Sequence, residues 1–459
     1  MAPQSFFGTL IHSLSPTTVE YLPQTLLIID EDGRIAALHP LISASAIPSL
    51  LTSSNYTPST CPLTTLSPTE FLIPGFIDTH THAPQWAQRG VGRGLPLLTW
   101  LSDLTFANEA RCHDADYAQT LFHSCITGGL KQGITTACYY SSLHAPATLI
   151  LAKTCLALGQ RALLGKCNMD RNAASWYQDE SAASSLADTH TVISEVQALD
   201  QNTGLVTPVI TPRFAICCTP ALLAGLGDLA RKHPAVPIQT HFNESRGEVD
   251  FTRSLFPEYA DETALYEAFG LLGERSILAH AIYLSEGEME RVQRLGCGIA
   301  HCPVANTTMD AFMVAPVREY LRRGMKVGLG TDCGGGYSSS MLETMRAAFV
   351  VSVARESETQ GRDEALSVAE GFYMATVGGA RVCGLEGKVG RFAVGMEFDA
   401  LVVSAGIDGV MAPVQSQDAL QTVFEKFLMT GDDRNIVRVF VKGREVKGGS
   451  VSRDFGFVL

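Results

Sequence analysis

The segment Asp78-Thr79-His80-Thr81-His82 closes an apolar run, Leu72-Ile73-Pro74-Gly75-Phe76-Ile77. Residues two apart on a strand share a face, so His80 and His82 project together from one strand end. Imidazole is a zinc ligand, and three protein ligands plus a water make a catalytic zinc site. Taken alone, the pair also fits two surface histidines at a loop entry. The rest of the chain narrows that choice. Of its 12 histidines, His80, His82, His241, His280 and His301 stand at or near the ends of apolar runs. His241 follows Val236-Pro237-Ile238-Gln239-Thr240, and His280 follows Ser276-Ile277-Leu278-Ala279. Asp332 follows Lys326-Val327-Gly328-Leu329-Gly330-Thr331. Brought to one place, His80, His82, His241, His280 and Asp332 make the constellation of a metal-dependent hydrolase.

Such convergence needs a scaffold that gathers several strand ends. Eight short β-like runs alternate with longer stretches of helical periodicity: 71–78, 133–140, 162–169, 206–214, 236–244, 276–281, 298–302 and 326–332. The segment from Leu222 to Lys232 reads as an amphipathic helix. Eight β-then-α units between residues 71 and 385 predict an α/β fold, a (β/α)8 TIM-type barrel. In that barrel the C-terminal strand ends build the active site. The ends of the chain read differently. Thr25–Asp30 and Ile35–Leu38 flank an Asp32-Gly33 hairpin signal. Residues 41–69 carry no charge and read as a loop packed on the surface, or as a linker. Strand-like text returns at 389–396, 399–403 and 437–446. The expectation is a small β-sandwich domain formed by residues 1–70 and 386–459, beside a barrel at 71–385.

The run from Pro74 to His82, with His241, His280 and Asp332, resembles the amidohydrolase superfamily. Further segments resemble, more narrowly, the eukaryotic-type guanine deaminase family. They are His82-Ala83-Pro84-Gln85, Thr135-Thr136-Ala137-Cys138-Tyr139, the run from Gly165 to Asp170, Thr211-Pro212-Arg213-Phe214, Ile299-Ala300-His301-Cys302-Pro303 and the run from Gly431 to Ile436. The resemblance implies one zinc ion per subunit, held by His80, His82, His241 and Asp332. A metal lowers the pKa of a bound water toward neutrality, and Asp332 would take the proton of the attacking water. His280 would orient that water. Glu244, three residues past His241, would protonate the substrate's ring nitrogen and pass a proton to departing ammonia. Gln85 and Arg213 would contact the edge of guanine, and Phe214 would line the pocket. His82, Ala83, Pro84, His241, Glu244 and Asp332 complete the implied substrate contacts. A cytosolic homodimer is implied as well. His144 and His301 lie near the implied site with roles left open.

Composition sets limits on the alternatives. The 459 residues carry a formal net charge of −13, with 46% hydrophobic and 18% charged residues. An acidic, low-charge chain is a poor partner for nucleic acid or an anionic membrane. No stretch approaches the roughly 20 apolar residues of a membrane span, and no basic segment precedes an apolar one as in a secretory signal. The 12 cysteines include no C-x-x-C pair and read as reduced, buried thiols. The glycine-rich run 324–336 lacks the Lys-Ser/Thr of a P-loop. The H-x-E and P-C-x-x-C deaminase signature is absent. Residues 304–312 depart from the family pattern after Pro303, with Asn306 the matching position. That departure leaves two rivals to guanine deamination: action on a related amino-purine, pterin or triazine, and a non-catalytic scaffold.

Overall fold

The structure is a computed structural model that describes residues 1–447 except 202, 310–312 and 408. The chain opens with β1 (Gln4–Ser15) and β2 (Thr18–Ile29), a long antiparallel hairpin, and β3 (Ile35–His39) returns along β2. The turn into β3 passes through Gly33 at φ 76°, which its missing Cβ permits. β4 (Leu63–Thr65) and β5 (Glu70–Pro74) then pair parallel with β1.

Eight strands follow: β6 (Phe76–His82), β7 (Ile134–Tyr140), β8 (Arg161–Gly165), β9 (Val206–Pro208), β10 (Ile238–Phe242), β11 (Ser276–His280), β12 (Gly298–His301) and β13 (Lys326–Leu329). Six fall within the predicted runs; β6 extends past 71–78 to His82, and β8 begins at Arg161, before 162–169. β6 to β9 form one parallel sheet and β10 to β13 another, each in chain order. The two are joined at both sides. Ile210 bridges Ile238 in parallel, and Gln239 N donates to Ile210 O at 2.9 Å. At the other side Asp332 N donates to His80 O at 2.9 Å, and Thr79 Oγ1 donates to Leu329 O at 2.9 Å. Helices fill the intervals between strands. The predicted amphipathic helix is Pro220–Lys232; Thr219 Oγ1 caps it by accepting from Leu222 N at 3.2 Å, and Leu222, Leu223 and Leu226 are buried.

The chain closes with β14 (Ala400–Ser404), β15 (Ile436–Val441) and β16 (Arg444–Lys447). These join the N-terminal strands in one eight-stranded sheet, in the order β16-β15-β14-β5-β1-β2-β3 with β4 on β1. Phe6, Phe398 and Phe440 stack inside it with ring centres 5.3 to 5.4 Å apart. Arg161 of β8 ties this sheet to the parallel strands. It is fully buried and bonds Glu397 at 2.7 Å and both oxygens of Asp399 at 3.1 Å.

Three local expectations change. The predicted run 71–78 divides at Gly75. Its first half, β5, belongs to the terminal sheet, because Leu72 pairs with Val402 of β14 and with Leu10 of β1. Residues 389–396 form turns rather than a strand, with Gly390 and Gly395 at φ 99° and 88°. Residues 41–69 contain the helix Ile47–Ser53, whose Ile47 and Leu51 pack on Leu26 and Ile28. Of the expected 386–459 segment, residues 448–459 lie outside the described residues. Among the described residues, no helix is long and apolar enough to cross a membrane.

Candidate active site

Five sequence-predicted residues meet where the strands end. His80 and His82 come from β6, His241 from β10, His280 from β11, and Asp332 from just beyond β13. All are buried. His80 Nε2 and His82 Nε2 each lie 3.3 Å from Asp332 Oδ1. His82 Nε2 and His241 Nε2 are 3.2 Å apart. The His80 ring stands 4.9 Å from those of His82 and His241 and 5.2 Å from that of His280. Backbone strain concentrates here: His280, Ala281 and Asp332 adopt φ of 70°, 46° and 45°. Non-glycine residues hold that conformation only where their surroundings over-determine it.

The donor set fits a metal ion. Ligand atoms of His80, His82 and Asp332 lie within 4.8 Å of one another, as do those of His80, His241 and His280. His80 Nε2 is buried without a hydrogen-bond partner. His241 Nδ1 donates to Arg213 O at 2.6 Å, which leaves the Nε2 lone pair facing the cluster. Burial pushes the His80 imidazole down to about 3 and the His241 imidazole well below its usual value. Both are thus neutral, the form that binds metal. Burial alone would raise the Asp332 carboxyl; the imidazoles of His80 and His82, each 3.3 Å from Oδ1, overcome it and hold the group well below the carboxylate range.

A cavity opens beside the cluster. Its lining includes the predicted His82, Gln85, Arg213, Phe214, His241, Glu244 and Asp332. Glu244 Oε1 lies 3.6 Å from His280 Nε2, and His280 Nδ1 donates to Asn306 Oδ1 at 2.8 Å. Ala83 and Pro84 are buried in the turn Ala83–Gln88 and are not among the lining residues. His301 ends β12, buried, and its carbonyl accepts from Gly330 N at 2.9 Å. His144 packs on Tyr177, with ring centres 5.8 Å apart. In the atypical segment 304–312, Asn306 binds His280 and Met309 lines the cavity, while 310–312 lie outside the described residues.

Glu109 escaped the sequence reading. It is wholly buried and receives Arg213 Nη1 at 2.6 Å and Nη2 at 3.0 Å, a bidentate pair. It also accepts from Gln85 Nε2 at 2.7 Å and from Tyr177 OH at 3.0 Å. Burial raises its carboxyl, but Arg213 outweighs burial and the net shift is downward. Gln85 is oriented as a result: its amide nitrogen is engaged, and its Oε1 is buried without a partner. Arg213 Nη1 also donates to Met169 Sδ at 4.0 Å, and Nη2 keeps a hydrogen beyond its bond to Glu109. The cavity edge therefore offers one acceptor and a cationic donor. Leu97, Trp100, Leu101, Phe214 and Met309 give it apolar walls. The apolar wall residues 97–101 and Met309 were likewise missed, since scattered apolar residues carry no sequence signal of lining a site.

Comparison with known proteins agrees with this geometry. The model described as "Amidohydrolase family" matches residues 71–446. A probable guanine deaminase of Schizosaccharomyces pombe is 38% identical over 444 residues, covering 96% of this chain and 83% of that one. The guanine deaminase of Mus musculus is 38% identical over 448 residues, covering 96% of each. Among solved structures, guanine deaminase from C. acetobutylicum with guanine bound in its active site superposes with a TM-score of 0.87 at 31% identity, covering 96% of this chain and 99% of that one. Family and structural likeness together give a fold of TIM-barrel type.

Proposed function

Because the chain belongs to the amidohydrolase family and, within it, to the guanine deaminases, we propose that it hydrolyses guanine to xanthine and ammonia at this site. The observation that carries the reading is the pairing, in one cavity, of a His–Asp cluster with the Glu109–Arg213–Gln85 edge. A metal-ligand cluster alone would serve many hydrolases; the edge selects a flat heterocycle with a carbonyl.

One zinc ion per subunit, held by His80, His82, His241 and Asp332, would supply the Lewis acidity that makes water a nucleophile at neutral pH. The chain's own residues do the rest. Arg213 donates to the guanine carbonyl oxygen, and Phe214 packs against the ring face. Gln85 Oε1 accepts from a ring or amino N–H. C2 carries the departing amine and lies between N1, which has a proton, and N3, which has none. Glu244 protonates N3, making C2 electrophilic. Asp332 removes the proton of the attacking water while His280 holds its position. The water oxygen bonds to C2. Glu244, now a carboxylate, takes the proton of the new C2 hydroxyl and passes it to the amine. The C2–N bond breaks, ammonia leaves, and the proton held by Asp332 returns to Glu244. The reading extends to a cytosolic homodimer with a barrel at 71–385 and a β-sandwich domain from both chain ends.

Ammonia release is to be measured across guanine, other amino-purines, amino-pterins and amino-triazines, with metal content on the same preparation. Guanine should be the best substrate, with zinc near one per chain. No ammonia from guanine, with release from another ring, overturns the substrate. Glu244→Gln should keep fold and metal and lose at least about a hundredfold in kcat, the scale of general acid–base catalysis.

A further inference from the structure

Asn243 joins Phe242, the end of β10, to Glu244. Its φ is 46°, in the left-handed region. Its backbone N–H, its carbonyl and its side-chain amide nitrogen are engaged. Its N–H donates to Glu262 Oε2 at 2.9 Å. Its side-chain Nδ2 donates to Glu288 Oε1 at 3.1 Å. Its carbonyl accepts from Ile282 N at 3.0 Å and Tyr283 N at 3.1 Å. Glu288 is fixed in turn: Thr263 Oγ1 donates to it at 3.2 Å, and Ser285 N and Oγ donate at 2.9 and 2.8 Å. The next N–H, of Glu244, donates to Glu248 Oε2 at 3.2 Å, and Thr252 Oγ1 holds the other oxygen of Glu248 at 3.0 Å.

Three buried carboxyl groups, Glu248, Glu262 and Glu288, thus surround one strained peptide and lie outside the reaction proper. Buried carboxyls without a basic partner are costly residues to retain for packing alone. Their common feature is that each fixes the backbone or side chain at 243–244. Without them the chain would relax from φ 46°, and the Cα–Cβ bond of Glu244 would swing with it.

We propose that Asn243, held by Glu262 and Glu288, is the positioning residue that aims the Glu244 carboxyl at His280 and the substrate cavity. The inference rests on the proton-shuttle reading of Glu244. Burial pushes the Glu262 carboxyl up, and a neutral acid accepts an N–H bond much as an amide oxygen does. Glutamine is therefore the conservative replacement at 262 and alanine the disruptive one.

The test uses the metal-loaded full chain. Asn243→Ala and Glu262→Ala should lower kcat about tenfold or more while KM for guanine stays within about twofold, because a misplacement near 1 Å is costly to chemistry and not to binding. The pH profile of kcat should shift in both, since the Glu244 carboxyl leaves its place beside His280. Glu262→Gln should restore most of the rate. Asn243→Gly, which tolerates φ above zero, should lose less than Asn243→Ala. Metal content and thermal midpoint, read alongside, separate misfolding from misplacement. If Asn243→Ala does not fold, the Glu262 pair decides. The proposal is overturned if Asn243→Ala and Glu262→Ala keep kcat and its pH profile while Glu244→Gln is inactive. Full turnover by Glu244→Gln removes the shuttle reading itself, and this inference with it.

Discussion

At the scale of single residues, the guanidinium of Arg213 sets the terms of the pocket. A buried guanidinium stays charged, and burying that charge is costly unless a carboxylate pairs with it. Glu109 supplies it with both oxygens, and the same oxygens hold Gln85 and Tyr177. One carboxylate thus orients two groups that line the cavity. Glu109→Gln removes the charge and leaves Arg213 buried and unpaired. The expected cost is about 3–5 kcal/mol of stability, read from urea unfolding. The loss in kcat/KM for guanine should be on the order of a hundredfold, since Gln85 loses its orientation too. A variant with unchanged kcat/KM would show that the pair is structural only. Arg213 was legible in the sequence as a candidate contact; Glu109 was not. It sits in the short helix Phe106–Ala110, between β6 and β7, far along the chain from Arg213. A sequence shows that such an arginine needs a carboxylate without showing which of 47 acidic residues provides it.

At the scale of elements, the strands that carry the ligands were legible because buried parallel strands read as short apolar runs. His80, His82, His241, His280 and Asp332 each close such a run. What stayed hidden was the detail of how elements end. β5 and β6 read as one strand because nothing but Gly75 marks the point where the chain leaves the terminal sheet; a Cβ at Gly75 would lie 2.1 Å from Thr135 Oγ1. Residues 389–396 have strand-like composition, yet their glycines turn the chain. The helix Arg246–Leu255, which follows β10, brings a further consequence. Its Glu248 is buried, and burial pushes the carboxyl from 4.5 up to about 8. The folded state then binds a proton that the unfolded chain releases above 4.5. Stability from this group is fully present below pH 4.5 and is lost as pH rises toward 8. Glu248→Gln should flatten the fall of the thermal midpoint between pH 4.5 and about 8. An unchanged slope would mean that Glu248 ionises in the fold as it does in water.

At the scale of the whole molecule, the two ends of the chain build one sheet, and that sheet is pinned to the catalytic scaffold by charge as well as by apolar contact. Arg161 on β8 reaches Glu397 and Asp399, and Asp399 Oδ1 also accepts from Lys442 N at 2.7 Å. The peptide N–H of Gly75, where β5 gives way to β6, donates to Asp399 O at 3.0 Å. Residues 75, 161, 399 and 442 therefore meet at one buried junction, which joins the N-terminal sheet, the barrel and the C-terminal strands. None of these pairings was legible, since they join residues far apart in the chain, 43 positions for Asp399 and Lys442 and 238 for Arg161 and Asp399. The junction sits at the start of β8, and the ligands sit at the strand ends on the other side. Stability and chemistry should separate accordingly. Asp399→Ala leaves Arg161 with one carboxylate and Lys442 N without an acceptor. It should destabilise the fold by about 3–5 kcal/mol, the usual cost of breaking a buried ion pair. Asp399→Asn retains an acceptor for Lys442 N and should lose less. In both variants kcat per metal-loaded folded chain should match the starting enzyme, measured well below the unfolding midpoint. A fall in kcat at full metal content would mean that the junction transmits strain through the barrel to the ligands. An unchanged unfolding midpoint would mean that apolar packing across the boundary, through Phe71, Leu401 and Ile436, holds the two parts together without it.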